Sequence, residues 1–193
     1  MTDTQQTRLL KKGAVLEFVK TGAWEFVRRR DRQQGVVLIA LTNDEKLILV
    51  EQFRPPIGTQ VIELPAGSIK PGATPEGTAA AELREEARYT FQRLTRVAQG
   101  PTSPGMTADH NILYLATGLH RGDRNGKHLR DGSFRYHETE GAAGEQEKII
   151  VWEVPLAALR NWLKRREAEG KVIDLRVYAG LFFVQQRRSR KRT

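Results

Sequence analysis

Three glutamates, Glu82, Glu85 and Glu86, stand at spacings of three and four in a stretch that reads as helix. At about 100° per residue they share one face. Carboxylates crowded in this way repel each other, and within the helix only Arg88, one turn beyond Glu85, stands to offset them. Such a face is unfavourable unless a cation sits beside it, and hard carboxylate oxygens suit Mg²⁺ or Mn²⁺. A solvated acidic face is the plainer alternative for an isolated helix. The residues in front of this helix favour the first reading. A glycine-containing turn from Gly67 to Gly72 leads to Thr74 and Pro75, an N-cap followed by a proline at the first helical position. The helix is expected to run to about Ala87, with Ala80, Leu83 and Ala87 facing a core.

Glu63-Leu-Pro-Ala-Gly67, the loop after it and Glu82-Leu-Arg-Glu-Glu86 resemble the signature of the Nudix hydrolases, G-x5-E-x7-R-E-U-x-E-E-x-G-U with U a bulky aliphatic. The run Leu49-Val-Glu-Gln-Phe-Arg-Pro-Pro56 is similar to the ADP-ribose or ADP-sugar pyrophosphatase branch of that family. The resemblance extends from about Val15 to Phe183. It implies hydrolysis of the diphosphate bond of a nucleoside diphosphate sugar, ADP-ribose first, with Mg²⁺ or Mn²⁺ as cofactor. It also implies that Glu82 and Glu86, then Glu85 and the backbone carbonyl of Ala66, hold the metal. Glu63 and Gly67 fall among the residues expected at the substrate. Three positions depart from the signature: Ala73 replaces its first glutamate, Ala81 its arginine and Arg88 its second glycine. The first two usually pair, so their joint loss leaves no uncompensated charge. A non-glycine residue at 88 either strains the helix end, at roughly 1 kcal/mol, or lengthens the helix.

The remaining chemistry is distributed along the chain. Pro55 holds the backbone of Arg54 extended, and a guanidinium fixed there can take diphosphate oxygens bidentately, a surface ion pair being the alternative. Arg29 is a second candidate of that kind. Glu145 and Glu147 match a glutamate pair that the branch carries where a loop meets a strand, and Glu147, nearer the strand, is expected to be the base. Trp24 and Glu25 stand where the branch stacks an aromatic on adenine and accepts from its exocyclic amine, while a second aromatic expected near Gly13 or Ala14 is missing. His110, His120, His128 and His137 show no metal-ligand spacing and read as loop residues. Within the branch, GDP-mannose or another nucleotide sugar is the alternative substrate. The alternative of another class is a non-catalytic nucleotide-sugar-binding module, against which the intact glutamates argue.

Positioning these residues needs an α/β sandwich with helices on both faces of a mixed sheet, preceded by a small antiparallel flap. The flap spans 1–34, with strands Ala14–Val19 and Trp24–Arg29 turning at Thr21-Gly22, and the family often swaps such a flap across a homodimer. The hydrolase domain spans 35–186. Gly35–Leu41 and Lys46–Phe53 read as a hairpin turning at Asn43-Asp44, and Val61–Leu64 as a strand. Gln99–Thr107 reads as a loop, Asn111–Thr117 as a strand and Gly118–Gln146 as a long polar insertion. Lys148–Val154 is a strand. Pro155–Glu169 is an amphipathic helix with Leu156, Leu159, Trp162 and Leu163 inward. A last helix runs from Asp174 to about Val184 with Leu175, Tyr178, Leu181 and Phe182 inward.

At 193 residues and 39% hydrophobic content the chain fits one core. No apolar run reaches 18 residues and the first residues lack a secretion-signal pattern, so no membrane partner is expected. The absence of cysteine excludes thiolate chemistry and fits the cytoplasm. Of the net charge of +9, five positive charges lie in residues 187–193, read as a disordered basic tail. No aromatic residue interleaves that tail, so nucleic acid is not an expected partner. The body's positive balance suits an anionic diphosphate.

Overall fold

The computed structural model describes residues 6–30, 34–122, 126–138 and 149–190. β1 (Arg8–Lys12), β2 (Leu16–Thr21) and β3 (Trp24–Arg29) form an antiparallel sheet of their own. Two more sheets follow. One has the order β7 (Ala66–Ser68), β4 (Gln34–Ala40), β9 (His110–Arg121), β8 (Tyr89–Pro101). The other runs β10 (Lys127–His128), β11 (Phe134–Glu138), β12 (Ile149–Pro155), β5 (Lys46–Arg54), β6 (Thr59–Glu63), β13 (Val172–Ile173). The β4–β9 and β6–β13 pairings are parallel and the other strand pairings antiparallel, so the sheets are mixed.

Both central strands are apolar on both faces, as a sheet covered on two sides requires. Val36, Leu38 and Ala40 of β4 and Ile48 and Val50 of β5 pack with Ala79, Leu83 and Ala87 of α1 (Pro75–Ala87). The alternate residues, Val37, Ile39, Leu47 and Leu49, pack with α2 (Leu159–Ala168) and α3 (Leu175–Arg190). Helices therefore cover both faces, the expected α/β/α sandwich. At Gly180 the last helix comes so close that a Cβ would lie 3.2 Å from Leu64 and 3.3 Å from Ile39.

Helix α1 is fixed at both ends. The Thr74 hydroxyl accepts from the Gly77 N–H at 3.0 Å and Pro75 opens the first turn. Glu76 accepts from the buried Tyr114 hydroxyl at 2.7 Å, which holds Glu76 below the usual carboxylate range and ties the first turn to β9. Arg88 ends the helix in the left-handed region (φ 53°, ψ 36°), with its N–H turned back to Arg84 and Leu83. Of the two outcomes expected for a non-glycine residue, the chain takes the strained one. Beyond it, the Tyr136 hydroxyl donates to the carbonyl of Ala87.

Several expectations fail for non-local reasons. β4 and β5 meet at one isolated bridge, Leu41 to Leu47, and then part into different sheets; they are not a hairpin. β8, a strand the sequence did not announce, occupies residues 89–101 and shortens the expected 99–107 loop. The insertion 118–146 carries the end of β9 and all of β10 and β11, with Phe134 and Tyr136 buried. The four histidines accordingly lie in strands, not loops. β1 extends the flap to three strands, and its turn falls at Gly22-Ala23. In α1 it is Ala79 that is buried, and Ala80 is exposed. In α2, which starts four residues late at Leu159, the inward face is as expected but Leu156 is only partly buried. In α3, Val177, Leu181 and Val184 face the core while Leu175, Tyr178 and Phe182 are exposed. That helix continues to Arg190, so residues 187–190 are helical and only 191–193 of the basic tail lie outside the described residues.

Replacing Tyr136 by Phe keeps the ring in its core and removes the donor to Ala87. An unpaired buried carbonyl costs about 1–3 kcal/mol, so urea unfolding of Tyr136→Phe is expected to show that loss. An unchanged midpoint would mean that the helix end does not need this tie.

Candidate active site

The β7–β4 register prepares the backbone on which α1 lays its glutamates. Val37 and Ala66 face each other between the Leu38 N–H to Pro65 carbonyl bond (2.8 Å) and the next ladder bonds, a non-hydrogen-bonded pair. The N–H and C=O of Ala66 are thus turned away from β4. The N–H donates to Glu86 Oε2 at 3.2 Å, and the carbonyl is directed to the same side. One residue on, a Cβ built at Gly67 would lie 1.8 Å from Glu82 Oε1 and 2.0 Å from its Cδ. Glycine at 67 is what lets the Glu82 carboxyl rest against the chain.

This packing perturbs both acids. Burial first, then the neighbouring Glu85 charge, raises Glu82 to about 7, with Lys70 opposing. Burial, then Glu82, raises Glu86 to about 8, with the Ala66 N–H and Arg54 opposing and Glu63 adding to the rise. Lys70 thus offsets Glu82 and Arg54 offsets Glu86, both from outside the helix. Glu85 is partly exposed beside Glu82. Among the described residues no three acidic or imidazole side chains already converge as a metal cage would. The donor set nevertheless fits a hard divalent ion: two desolvated carboxylates raised by their acidic neighbours, a third beside Glu82 and a carbonyl on the same side of β7.

An open cleft of about 850 Å³ runs past this corner, lined among others by Arg29, Arg54, Glu63, Gly67, Asp109 and Arg176. Arg54 donates from Nε to Glu63 Oε1 at 2.6 Å and from Nη2 to Oε2 at 2.8 Å. Glu63 is 2% exposed. It is the counter-ion that aims Arg54, and it lines the cleft itself. Arg54 is in an ion pair, as the plainer reading had it, but a part-buried one inside the cleft. Arg29 pairs with Asp109 at 3.4 Å on the same cleft.

Trp24 and Glu25 do not come together. As neighbours on β3 they point to opposite faces. Trp24, 67% exposed, opens with Phe26, Pro101, Pro104 and His110 on a separate apolar hollow of about 490 Å³. Glu25 pairs with Lys20 at 3.2 Å. Within one chain the two side chains therefore do not line a common pocket. Glu145 and Glu147 lie outside the described residues. Sequence reasoning missed Asp174 and Arg176, which line the cleft from the start of α3. No spacing in the chain marks them, because only the parallel β6–β13 pairing brings residue 174 beside the strand that carries Glu63.

The description "NUDIX domain" belongs to the family model that matches residues 31–169. Mouse ADP-sugar pyrophosphatase is 41% identical over 169 residues, 83% of this chain and 72% of that protein. The ADP-ribose pyrophosphatase of Mycobacterium tuberculosis is 34% identical over 78% of this chain and 64% of that one. The ADP-ribose pyrophosphatase of Bacillus subtilis is 40% identical over 44% of this chain, and there the match spans about half of the relative's length, 46%. A crystal structure of an ADP compounds hydrolase shares the fold, with TM-score 0.64, 18% identity and coverage of 94% of this chain and 90% of that one.

Because Glu82 and Glu86 bind protons more tightly folded than unfolded, the metal-free protein loses stability as pH rises. The loss begins above the ordinary carboxylate value of 4.5 and is complete only above about 8. Thermal melts in chelator are expected to fall between about pH 5 and pH 8, and less steeply in Glu86→Gln. Stability rising across that window by an amount that Glu86→Gln removes would contradict the assignment.

Proposed function

The chain belongs to the NUDIX domain family, and from that premise we propose that it hydrolyses the diphosphate bond of a nucleoside diphosphate sugar, ADP-ribose foremost, to AMP and ribose 5-phosphate. The observation that carries this reading is the pair Glu82 and Glu86, desolvated against Ala66 and Gly67 of β7, which themselves line an arginine-bearing cleft. Glu82, Glu86, Glu85 and the Ala66 carbonyl would hold Mg²⁺. A divalent ion there neutralises diphosphate oxygens and lowers the pKa of a bound water.

This chain's own groups do the positioning. Arg54, held on both oxygens of Glu63, presents a fixed guanidinium to the diphosphate. Arg29 contributes a second positive charge on the flap side of the cleft. Glu147, with Glu145 as the alternative, is our candidate for the group that orients or deprotonates water, on the strength of its place in the branch's pattern. Water adds to one phosphorus and the bridging P–O bond breaks, leaving the two phosphates on AMP and on ribose 5-phosphate.

Homodimerisation belongs to the same reading. Val15, Leu16, Phe18 and Trp24 are exposed on the flap, between 39% and 67%, a surface that a second copy would cover. In such a dimer Trp24 would stack on adenine across the interface and not within its own chain. The flap (1–34), the hydrolase domain (35–186) and the basic end are then three functional units. Among the described residues no helix is long and apolar enough to cross a membrane; the cytoplasmic placement rests on the cysteine-free composition.

The test is incubation with ADP-ribose, with and without Mg²⁺, and detection of AMP. Metal-dependent AMP formation is expected, and Glu86→Gln is expected to lose about 100-fold or more in kcat, the scale of one strong electrostatic stabiliser. Full turnover in Glu86→Gln would remove Glu86 from the site, and no AMP from the wild type would remove ADP-ribose from the reading.

A further inference from the structure

Glu63 serves two guanidiniums. Arg54 takes both of its oxygens, and Arg176 Nη2 lies 3.5 Å from Oε2. The terminal nitrogens of the two arginines are therefore at most about 6 Å apart. Two cations that close repel, and neutralising Glu63 alone needs only one of them. Arg176 has a counter-ion of its own as well. Asp174 accepts from its Nε at 2.9 Å, and from its Nη2. Among the described residues nothing pairs with Arg176 Nη1. The side chain is about a third exposed and lines the same cleft as Arg54 and Gly67.

The base of this arrangement is rigid. Asp174 caps α3, accepting the Arg176 N–H at 2.7 Å, and its own N–H donates to the Ile62 carbonyl at 3.0 Å, next to Glu63. Both guanidiniums are thus oriented before any ligand arrives, so little side-chain freedom remains to be lost on binding. A guanidinium presents its donors as a planar fork that matches phosphoryl oxygens.

We propose that Arg176 contacts the substrate's diphosphate as the second guanidinium of a two-arginine grip, with Glu63 and Asp174 setting the spacing. This rests on the diphosphate-substrate reading above. The competing role is that of a strut, in which Arg176 only steadies Glu63 and so Arg54.

Arg176→Gln and Arg176→Lys separate the two roles. Steady-state kinetics with ADP-ribose and Mg²⁺ would be measured together with calorimetric binding of inorganic pyrophosphate and of AMP. For Arg176→Gln we expect KM to rise about 10-fold or more with a smaller change in kcat, the scale of one charge-assisted hydrogen bond. Pyrophosphate binding should weaken by a like factor and AMP binding by much less. Arg176→Lys should melt with the wild type and recover part of the affinity. Unchanged KM and pyrophosphate affinity in Arg176→Gln would overturn the proposal. Equal weakening of AMP and pyrophosphate would also overturn it, in favour of the strut. If Arg176→Gln does not fold, Arg176→Lys decides, because wild-type pyrophosphate affinity there would contradict a need for the fork. A wild type that binds pyrophosphate through Arg176 yet leaves ADP-ribose intact would sink the substrate assignment and keep the grip.

Discussion

The structure turns on a charge that the protein alone does not balance. Glu82 and Glu86 are pressed against a backbone corner by α1, and desolvation, with repulsion from Glu85 on Glu82 and from Glu82 on Glu86, raises both above the ordinary carboxylate range. Leaving two such groups partly buried is unfavourable for folding in itself. Much of the fold maintains that unfavourable corner. Ala79, Leu83 and Ala87 fix the helix to the β4–β5 core, Glu76–Tyr114 and Thr74 fix its first turn, and Tyr136 and Arg88 fix its end. On the other side, the β7 register presents the Ala66 amide and carbonyl, and Gly67 leaves the room that Glu82 fills. The loss of the signature's usual glutamate–arginine pair, at Ala73 and Ala81, leaves this anchoring in place because Glu76–Tyr114 provides a separate tie.

Along the cleft that Ala66 and Gly67 line, charge is handled differently. Arg54, Arg176 and Arg29 are each matched to a carboxylate, Glu63, Asp174 or Asp109. The arginines are held and oriented without leaving a large uncompensated positive charge. An anionic ligand in the cleft would meet guanidinium donors that are already oriented.

Local signals in the sequence were reliable where the chemistry is local. The Thr74-Pro75 start, the three-four spacing of the glutamates, Gly67 and the doubly apolar β4 are all written within a few residues. What could not be read is set by partners far along the chain. Asn43 and Asp44 do turn, but the strands on either side find better partners in β9 and β12 than in each other. β8 escaped because its residues alternate poorly between buried and exposed. Of the α3 stripe expected at Leu175, Tyr178, Leu181 and Phe182 only Leu181 packs inward, and the smaller Val177 and Val184 complete the packing. Glu63 reads in the sequence as a site residue and lines the cleft, but its two guanidinium partners, from β5 and α3, are not legible there.

The most direct measurement is the binding of Mn²⁺ to the metal-free protein, followed by electron paramagnetic resonance, for wild type, Glu82→Gln and Glu86→Gln. If the corner formed by Ala66, Gly67 and α1 is a cation site, the wild type binds Mn²⁺ and each variant binds it about 100-fold or more weakly, at or beyond the range that outer groups around a metal account for. Wild-type Mn²⁺ affinity in both variants would mean that the enclosed charge on these two glutamates has another purpose, and the account built on them would fall.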